Sequence, residues 1–232
     1  KKAGADCVKF QTFKADNLVT EDAPKAAYQL KVTNPRESQK KMLQSLELKE
    51  NDYFELKKVC DDLEIIFMST PYNFRDVDFL FKLIVPAYKL ASMNLTEQPM
   101  IEYVAKKKKP AIISTGMSSI SDVVAAADIF KSVNNRDLIL LQCTTNYPTR
   151  ISDVNLKAIL TIAQKTNAVT GYSDHTEGIE TPVLAVAAGA SLMIFVLVVT
   201  DFFIWNPLLR WAERFQRMNP EGTSDNEDEA VL

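Results

Sequence analysis

The sequence is poor in the residues that mark metal sites and disulfide frameworks. It contains one histidine, His175, and three cysteines, Cys7, Cys60 and Cys143, among 232 residues. The cysteines are odd in number and far apart, and no two of them form a CxxC pair. This pattern excludes a disulfide framework as the basis of the fold and favours a reducing, cytoplasmic compartment.

Strong net charge and a leader-like segment are also absent. The formal net charge is −3, which gives no reason to expect a nucleic-acid partner. The basic run at residues 106–109 follows an apolar segment with helical spacing and precedes Pro110. We interpret it as the solvated C-terminus of a helix, where cations are favoured. Residues 1–14 mix charges with short apolar pieces and do not resemble a signal peptide.

Short β-rich runs alternate with helical segments along most of the chain. The candidate strands are CVKFQTF from Cys7, EIIFMS from Glu64, AYKLAS from Ala87, AIIS from Ala111, LILLQC from Leu138, AVTGYS from Ala168 and SLMIFVLVV from Ser191. After the first, they begin about 23 to 30 residues apart, the length of one strand and one covering helix. The longer first interval carries a predicted polar loop at residues 14–37.

Two of the intervening segments have the apolar spacing of helices. One stripe consists of Ile120, Val123, Val124, Ala127 and Phe130, with Ser119 and Asp122 placed as a capping box. The other consists of Leu156, Ile159, Leu160 and Ala163, and we expect Ser152 and Asp153 to open it. Near-continuous apolar strands between helices predict a parallel α/β fold. The spacing leaves open a TIM barrel that lacks one strand and an open doubly wound sheet.

Most of the candidate strands end in polar residues. Lys9 and Gln11 alternate with apolar neighbours and therefore share one face of the first strand. The polar ends of later strands include Thr70, Lys89, Ser92, Ser114, Asn146, Ser173 and His175. Two lysines and several hydroxyls on the active-site rim of a barrel would hold a phosphorylated, carboxylated substrate. The alternative is that these residues form ordinary caps and turns, in which Ser, Thr, Asn and Asp are common.

His175 has two interpretations from the sequence. A lone histidine is most often a surface residue or a hydrogen-bonded core residue. Here Asp174 adjoins it in a predicted turn at the end of a strand, which favours a role as a ligand.

Seven segments of the chain, taken in order, resemble the catalytic domain of the sialic acid synthase family, which also makes related nonulosonic acids. They are AGADCVKFQTFKADNLVT, ESQKKMLQSLEL, FMSTPYNF, VPAYKLAS, KKPAIISTGM, QCTTNYPT and GYSDHTEGI. Together they span residues 3–190, and an ordered series is far more specific than any single short motif.

The resemblance implies a (β/α)₈ TIM barrel and a transferase that condenses phosphoenolpyruvate with N-acetylmannosamine or a related amino sugar, releasing phosphate. It also implies a divalent metal, manganese or magnesium, that polarises the sugar aldehyde before the enol carbon attacks. By the matching motifs, Lys9, Lys89 and Tyr147 would be catalytic, and His175 would be a metal ligand. The residues implied to bind substrate are Gln11, Thr70, Ser92, Ser114, Asn146 and Ser173.

The sequence departs from the family pattern at several positions. No segment matches the family's E-I-x-x-N-H-like first strand. Met93 replaces a glycine, Asn94 replaces an acidic residue, and Gln142 replaces a histidine. Where the family's last strand supplies a glutamate and a second metal-binding histidine, residues 194–198 read IFVLV. We therefore expect an incomplete metal site, an incomplete barrel, and no activity from this chain as written.

The C-terminal part predicts a different organisation. Residues 181–200 carry no charge, and about 20 apolar residues suffice to cross a bilayer. Residues 181–190 match the family and are expected to form a barrel helix, whereas residues from Ser191 onwards suit a final strand and a membrane segment equally. Residues 192–217 weakly resemble the tail of an ABC-transporter permease. The predicted units are a barrel at residues 1–190, an apolar and amphipathic segment at 191–217, and a disordered acidic tail at 218–232.

Three functions therefore remain open. The favoured one is the synthase, with phosphoenolpyruvate and an N-acetylated amino sugar as its partners. The second is a non-catalytic barrel that binds anions without the metal, and the third is a membrane-tethered fusion through residues 191–217. The family's dimer depends on an antifreeze-like domain that this sequence does not match, so a homodimer would need contacts between barrels.

Overall fold

The computed structural model describes residues 4–191 of the chain. The α-helices and strands of this part, in chain order, are β1 (Cys7–Thr12), α1 (Ala15–Leu18), α2 (Ala27–Val32), α3 (Gln39–Gln44), α4 (Glu50–Asp62), β2 (Ile66–Pro71), α5 (Phe74–Lys82), β3 (Tyr88–Leu90), α6 (Gln98–Lys106), β4 (Ala111–Ser114), α7 (Ile120–Ser132), β5 (Leu138–Cys143), α8 (Lys157–Thr166), β6 (Val169–Ser173) and α9 (Glu180–Ala187). The candidate strand SLMIFVLVV and the predictions for residues 192–232 lie outside the described residues.

The strands of the described part are parallel and follow one another in sequence order. β1 pairs with β2, while β3, β4, β5 and β6 form a second sheet in that order. An open doubly wound sheet would reverse its strand order at a switch point, and this order does not reverse. The fold class is therefore the α/β arrangement of a TIM barrel, as predicted. The strands of residues 4–191 do not close into a complete barrel.

The two faces of the strands bury different sets of residues. Outward-facing side chains, such as Phe67, Leu90, Ile113 and Leu140, pack with the helices in one large apolar core. A smaller group on the other face, which we name the inner cluster, consists of Cys7, Met68, Ile112 and Leu141. Because successive residues of a strand point to opposite faces, the sequence alternation assigns each side chain to one of these two layers.

The helices that precede strands often end in a left-handed residue. Ile84 follows α5 with a φ of 60°. Its N–H donates to the carbonyl of Phe81, and the N–H of Val85 donates to the carbonyl of Leu80 at 3.3 Å. These two bonds satisfy carbonyls that the helix end would otherwise leave free. Glu64, Asn134 and Gly189 occupy the same position after α4, α7 and α9.

Several helix predictions are confirmed. Ser119 and Asp122 form the predicted capping box of α7, with the Ser119 N–H donating to the Asp122 carboxylate at 2.8 Å. The basic run lies at the end of α6, where Lys107 pairs with Asp78 at 2.6 Å. The charge-free residues 181–189 lie largely in α9, which packs through Ala185 with residues of α8 and β6. Within residues 4–191, no helix is both long enough and apolar enough to cross a bilayer.

Other local predictions are wrong. α8 begins at Lys157, and Ser152 and Asp153 do not open it. They lie in a short 3-10 helix, where the Asp153 carboxylate accepts from the Arg150 guanidinium at 2.8 Å instead of capping a helix. The predicted polar loop at residues 14–37 contains α1 and α2. Ile120 and Leu160, assigned to the apolar stripes of α7 and α8, are exposed.

The substitution Ile84→Gly is expected to increase the free energy of unfolding. A left-handed conformation costs an L-residue about 1–2 kcal/mol, and glycine adopts it readily, so we expect a gain of about 1 kcal/mol. Little apolar burial is lost, because Ile84 is 73% exposed. Urea denaturation of the two proteins measures the difference.

Gly189→Ala is the matched control, at the same position after α9. It should lower stability, because Gly189 has a φ of 98° and an added Cβ would lie 3.1 Å from Leu160 Cδ2. If Ile84→Gly leaves the unfolding midpoint unchanged or lowers it, the assigned backbone strain is wrong.

Candidate active site

Several polar side chains at the strand ends point to the same side of the strands as the inner cluster. Each member of that cluster is followed, two positions later in its strand, by one of four residues: Lys9, Thr70, Ser114 and Cys143. Alternate residues of a strand share a face, so these side chains lie on the inner side, nearer the carboxyl ends of the strands. Lys89 joins them, because its Cα lies opposite Ile112 in the β3–β4 ladder. We name this group of five residues the inner rim, and all five are buried.

Lys89 and Ser114 are in direct contact. The Lys89 ammonium donates to Ser114 Oγ at 2.6 Å and to the Leu90 carbonyl oxygen at 2.7 Å. The side chain of Lys89 comes from β3 and is 7% exposed, and Ser114 ends the neighbouring strand β4. The hydroxyl and the carbonyl therefore hold a buried cation in a fixed position, at the end of the sheet where a barrel binds its ligand.

Lys9 supplies a second buried cation from β1. It lies opposite Met68, and Gln11 lies opposite Thr70 in the same parallel ladder. Burial raises the pKa of the Cys7 thiol to about 12, although the charge of Lys9 acts to lower it. That influence is consistent with a lysine ammonium on the same face as Cys7. Gln11 is more exposed, and its amide donates to Tyr72 Oη at 2.8 Å.

Gly116 permits a close approach between the loops that follow β3, β4 and β5. Its N–H donates to Ser92 Oγ at 3.0 Å. A Cβ at Gly116 would lie 2.6 Å from Thr145 Cγ2 and 2.9 Å from Ser92 Oγ, so no larger residue fits without displacing them. Glycine at this position therefore brings Ser92 next to the inner rim. The sequence analysis predicted a role for Ser114 as a polar strand end, whereas the role of Gly116 is visible only in the packing.

His175 is oriented by the loop that follows β5. Its Nδ1 lies 2.8 Å from the Thr144 carbonyl oxygen, and its own carbonyl accepts from the Thr149 N–H at 2.7 Å. A carbonyl can only accept, so Nδ1 carries the proton in this arrangement. Nε2 is then the ring nitrogen that can bind a metal or a substrate, which is the usual orientation of a metal-binding histidine.

Tyr147 lies against His175 and Ser173 lies beside Cys143, but Asn146 is placed differently. The rings of Tyr147 and His175 have centroids 4.3 Å apart, and Tyr28 of α2 contacts the Tyr147 ring at 5.4 Å. Ser173 is buried at the end of β6, opposite Cys143. Asn146 is exposed, and it is its backbone carbonyl that accepts from Thr149 Oγ1 at 2.8 Å.

Residues 4–191 do not fit a complete metal site. No group of three or more His, Cys, Asp or Glu side chains in this part could hold a metal ion. Asp174 is next to His175 in sequence, but its carboxylate accepts from the N–H and hydroxyl of Thr176 at 2.9 Å and 2.8 Å. It therefore shapes the turn. The described residues offer one imidazole and not a set of ligands.

Cys143 is a site residue that the sequence analysis treated only as a free thiol. Its Sγ lies 3.9 Å from His175 Nδ1. Burial acts to raise the pKa of this thiol, but His175, together with Ser92 and Lys89, holds the pKa below its ordinary value. The signal was present in the sequence, because Cys143 follows Leu141 by two residues and so must share the inner face.

Comparisons with known proteins identify the family of the chain. Residues 1–194 match the model of the NeuB family. The N,N'-diacetyllegionaminic acid synthase of Legionella pneumophila is 41% identical over 95% of this chain and 62% of its own length. The human N-acetylneuraminate-9-phosphate synthase is 32% identical over 83% of this chain and 54% of its own length. The chain thus spans between about half and two thirds of these relatives.

Solved structures agree on the fold. A crystal structure of N-acetylneuraminic acid synthetase from Leptospira borgpetersenii, in complex with citrate, superposes with a TM-score of 0.70 and 25% identity, covering 97% of this chain and 78% of that one. A phospho-2-dehydro-3-deoxyheptonate aldolase from Thermotoga maritima has a TM-score of 0.57 at 14% identity, over 91% of this chain and 62% of that one, and supports the fold alone. Because the family model matches residues 1–194 of 232, the chain belongs to the NeuB family.

Proposed function

We propose that this chain carries the phosphoenolpyruvate-binding part of a synthase that condenses phosphoenolpyruvate with N-acetylmannosamine or a related N-acetylated amino sugar. The product would be a nonulosonic acid, and phosphate would be released. The observation that carries the proposal is the inner rim, where Lys9 and Lys89 reach one buried face with Ser114. The names of the relatives support the class of product, and the amino sugar itself is left open.

The chemistry of phosphoenolpyruvate explains why two lysines are needed. The substrate carries a phosphate and a carboxylate, and burying such an anion without cations would be very unfavourable. Lys9 and Lys89 would offset the two charges from neighbouring sides, while the hydroxyls of Ser92 and Ser114 would orient the oxygens. In the proposed reaction C3 of phosphoenolpyruvate bonds to the aldehyde carbon, water adds at C2, and phosphate leaves. The lysines would hold the anion throughout.

His175 is proposed as one ligand of a divalent metal, manganese or magnesium. When bound, that metal would polarise the aldehyde of the sugar. The hydrogen bond from Nδ1 to Thr144 supports this role, because it leaves Nε2 available. Tyr147, which lies against the ring of His175, is proposed to contact the sugar. His175 is the only histidine of the sequence, so this chain alone is not expected to complete the metal-dependent half of the reaction.

The same observations favour a second candidate, a barrel that binds anions without turnover. It would use the inner rim as described and would not need the metal. For either function we propose the cytoplasm as the compartment, a proposal supported by the three free cysteines Cys7, Cys60 and Cys143.

Lys89→Met is expected to weaken phosphoenolpyruvate binding by at least about tenfold, because it removes the buried cation nearest Ser114. Isothermal titration calorimetry measures the dissociation constants. Lys82→Met on the exposed surface of α5 is the matched control and should bind phosphoenolpyruvate as tightly as the original chain. Circular dichroism checks that both variants fold. Equal binding by a folded Lys89→Met variant would rule out the inner rim as the phosphoenolpyruvate site.

Phosphoenolpyruvate binding is expected to change less than about twofold when manganese is added or when His175 is replaced by alanine. The reason is that the lysines hold the anion independently of His175. Phosphate release from phosphoenolpyruvate and N-acetylmannosamine should stay at the level seen without sugar. Sugar-dependent release by the unaltered chain would show that its own residues suffice for catalysis and would disprove the binding-only candidate.

A chimera separates the two candidate functions. Residues 1–194 would replace the matching part of the Legionella pneumophila relative, and the rest of that relative would be kept on both sides. With manganese, the chimera is expected to release phosphate in the presence of N-acetylmannosamine or a diacetylated amino sugar. A folded chimera that binds phosphoenolpyruvate but releases no phosphate with any of these sugars would reject the synthase and leave the anion-binding barrel.

A further inference from the structure

A cavity lies on the outer side of the strands, between α7 and α8. Its volume is about 290 Å³. Its polar lining consists of Thr115, Ser118, Gln142, Asn155, Lys157 and Thr161. Thr115 directly follows the inner-rim residue Ser114, and Gln142 directly precedes the inner-rim residue Cys143. Because successive residues of a strand point to opposite faces, both lie on the outer face. The cavity therefore shares two strands with the candidate active site but none of its side chains.

Gln142 is the most informative residue of this cavity. It is 9% exposed, and it lines the cavity from β5. Within residues 4–191 its side-chain amide forms no hydrogen bond with another residue, and it borders the cavity. The amide is accessible from the cavity, because Asn94 Oδ1 is the one fully buried side-chain atom within residues 4–191 that has no hydrogen-bond partner. This amide is therefore available to a ligand in the cavity.

The hydroxyls of the cavity offer acceptors. Thr115 Oγ1 donates its proton to the Leu141 carbonyl at 3.0 Å, and Ser118 Oγ donates to the Gly116 carbonyl at 3.3 Å. A hydroxyl has one proton and two lone pairs, so both oxygens keep their accepting capacity. A ligand that satisfies them must bring its own donors, such as hydroxyl groups.

The end of the cavity at α8 favours a negative charge. Lys157 is the first residue of α8, and the N-cap Leu156 provides no side-chain hydrogen bond to the helix. The N-terminus of a helix carries a partial positive charge, and the lysine adds a full one. The cavity thus combines a cationic end, an unpaired amide and hydroxyl acceptors, and its volume lies near the lower limit of about 300 Å³ for small-molecule sites.

We propose that the cavity between α7 and α8 binds a small polyhydroxylated carboxylate. The carboxylate lies at Lys157 and the N-terminus of α8, and the hydroxyl groups bond to the Gln142 amide and to the oxygens of Thr115 and Ser118. The proposal is independent of the synthase function, because it uses none of the inner-rim residues.

Gluconate is the probe that tests the proposal, with binding measured by isothermal titration calorimetry. Sorbitol, which has the hydroxyls without the carboxylate, and inorganic phosphate, which has the charge without the hydroxyls, should each bind at least about tenfold more weakly. Gln142→Leu and Lys157→Met should each weaken gluconate binding by at least about tenfold. Lys165→Met, an exposed lysine further along α8, is the matched control and should leave it unchanged.

Two further variants keep the outcome decisive. Gln142→Glu has nearly the same size and should weaken gluconate binding through charge repulsion even if Gln142→Leu does not fold. Lys89→Met should retain gluconate binding while it loses phosphoenolpyruvate, so failure of one site does not imply failure of the other. The proposal is overturned if gluconate does not bind up to about 10 mM. It is equally overturned if binding survives both Gln142 variants or disappears with Lys89→Met.

Discussion

The position of a buried lysine ammonium, fixed between neighbouring parallel strands, governs the candidate active site. Lys89 donates to Ser114 Oγ on β4 and to the Leu90 carbonyl on β3. A desolvated cation is unfavourable unless it is well hydrogen-bonded and gains an anion. Its partners must therefore be placed accurately. Accurate placement depends on the β3–β4 register, which the apolar core maintains. It also depends on the close approach of the loops at Gly116, which brings Ser92 to the inner rim.

The layers of the fold follow from sequence alternation because each strand is buried on both faces. The six strands of the described part lie where apolar runs predicted them, and the two-residue spacing from the inner cluster leads directly to Lys9, Ser114 and Cys143. The first residues of helices were harder to predict from the sequence, because they depend on which of several nearby groups hydrogen-bonds to the capping side chain. Asp153 is a residue type that often caps helices, but its carboxylate accepts a hydrogen bond from the Arg150 guanidinium, and α8 begins later, at Lys157.

The surroundings of His175, formed by Tyr147 and Tyr28, could be predicted less well, because they are built by contacts between segments that are distant in the sequence. The Tyr147 ring lies against His175 at a tilt of 42° and is itself contacted by Tyr28, from a stretch whose polar composition indicated only a loop. No periodicity links these three rings. The orientation of His175 likewise depends on the backbone carbonyl of Thr144. Every residue has such a carbonyl, so the sequence does not indicate which one binds the ring. Family resemblance identified His175, whereas its geometry came from tertiary packing.

The two faces of β4 and β5 impose one constraint on both proposed sites. Ser114 and Cys143 face inwards, and their neighbours Thr115 and Gln142 face the cavity between α7 and α8. A slip of one residue in either strand would exchange the two sets and remove both sites at once. Val123 and Ile162, which pack in the outer core and also line that cavity, oppose such a slip because it would expose apolar surface. The helices that build the outer cavity therefore also hold the register on which the inner rim depends.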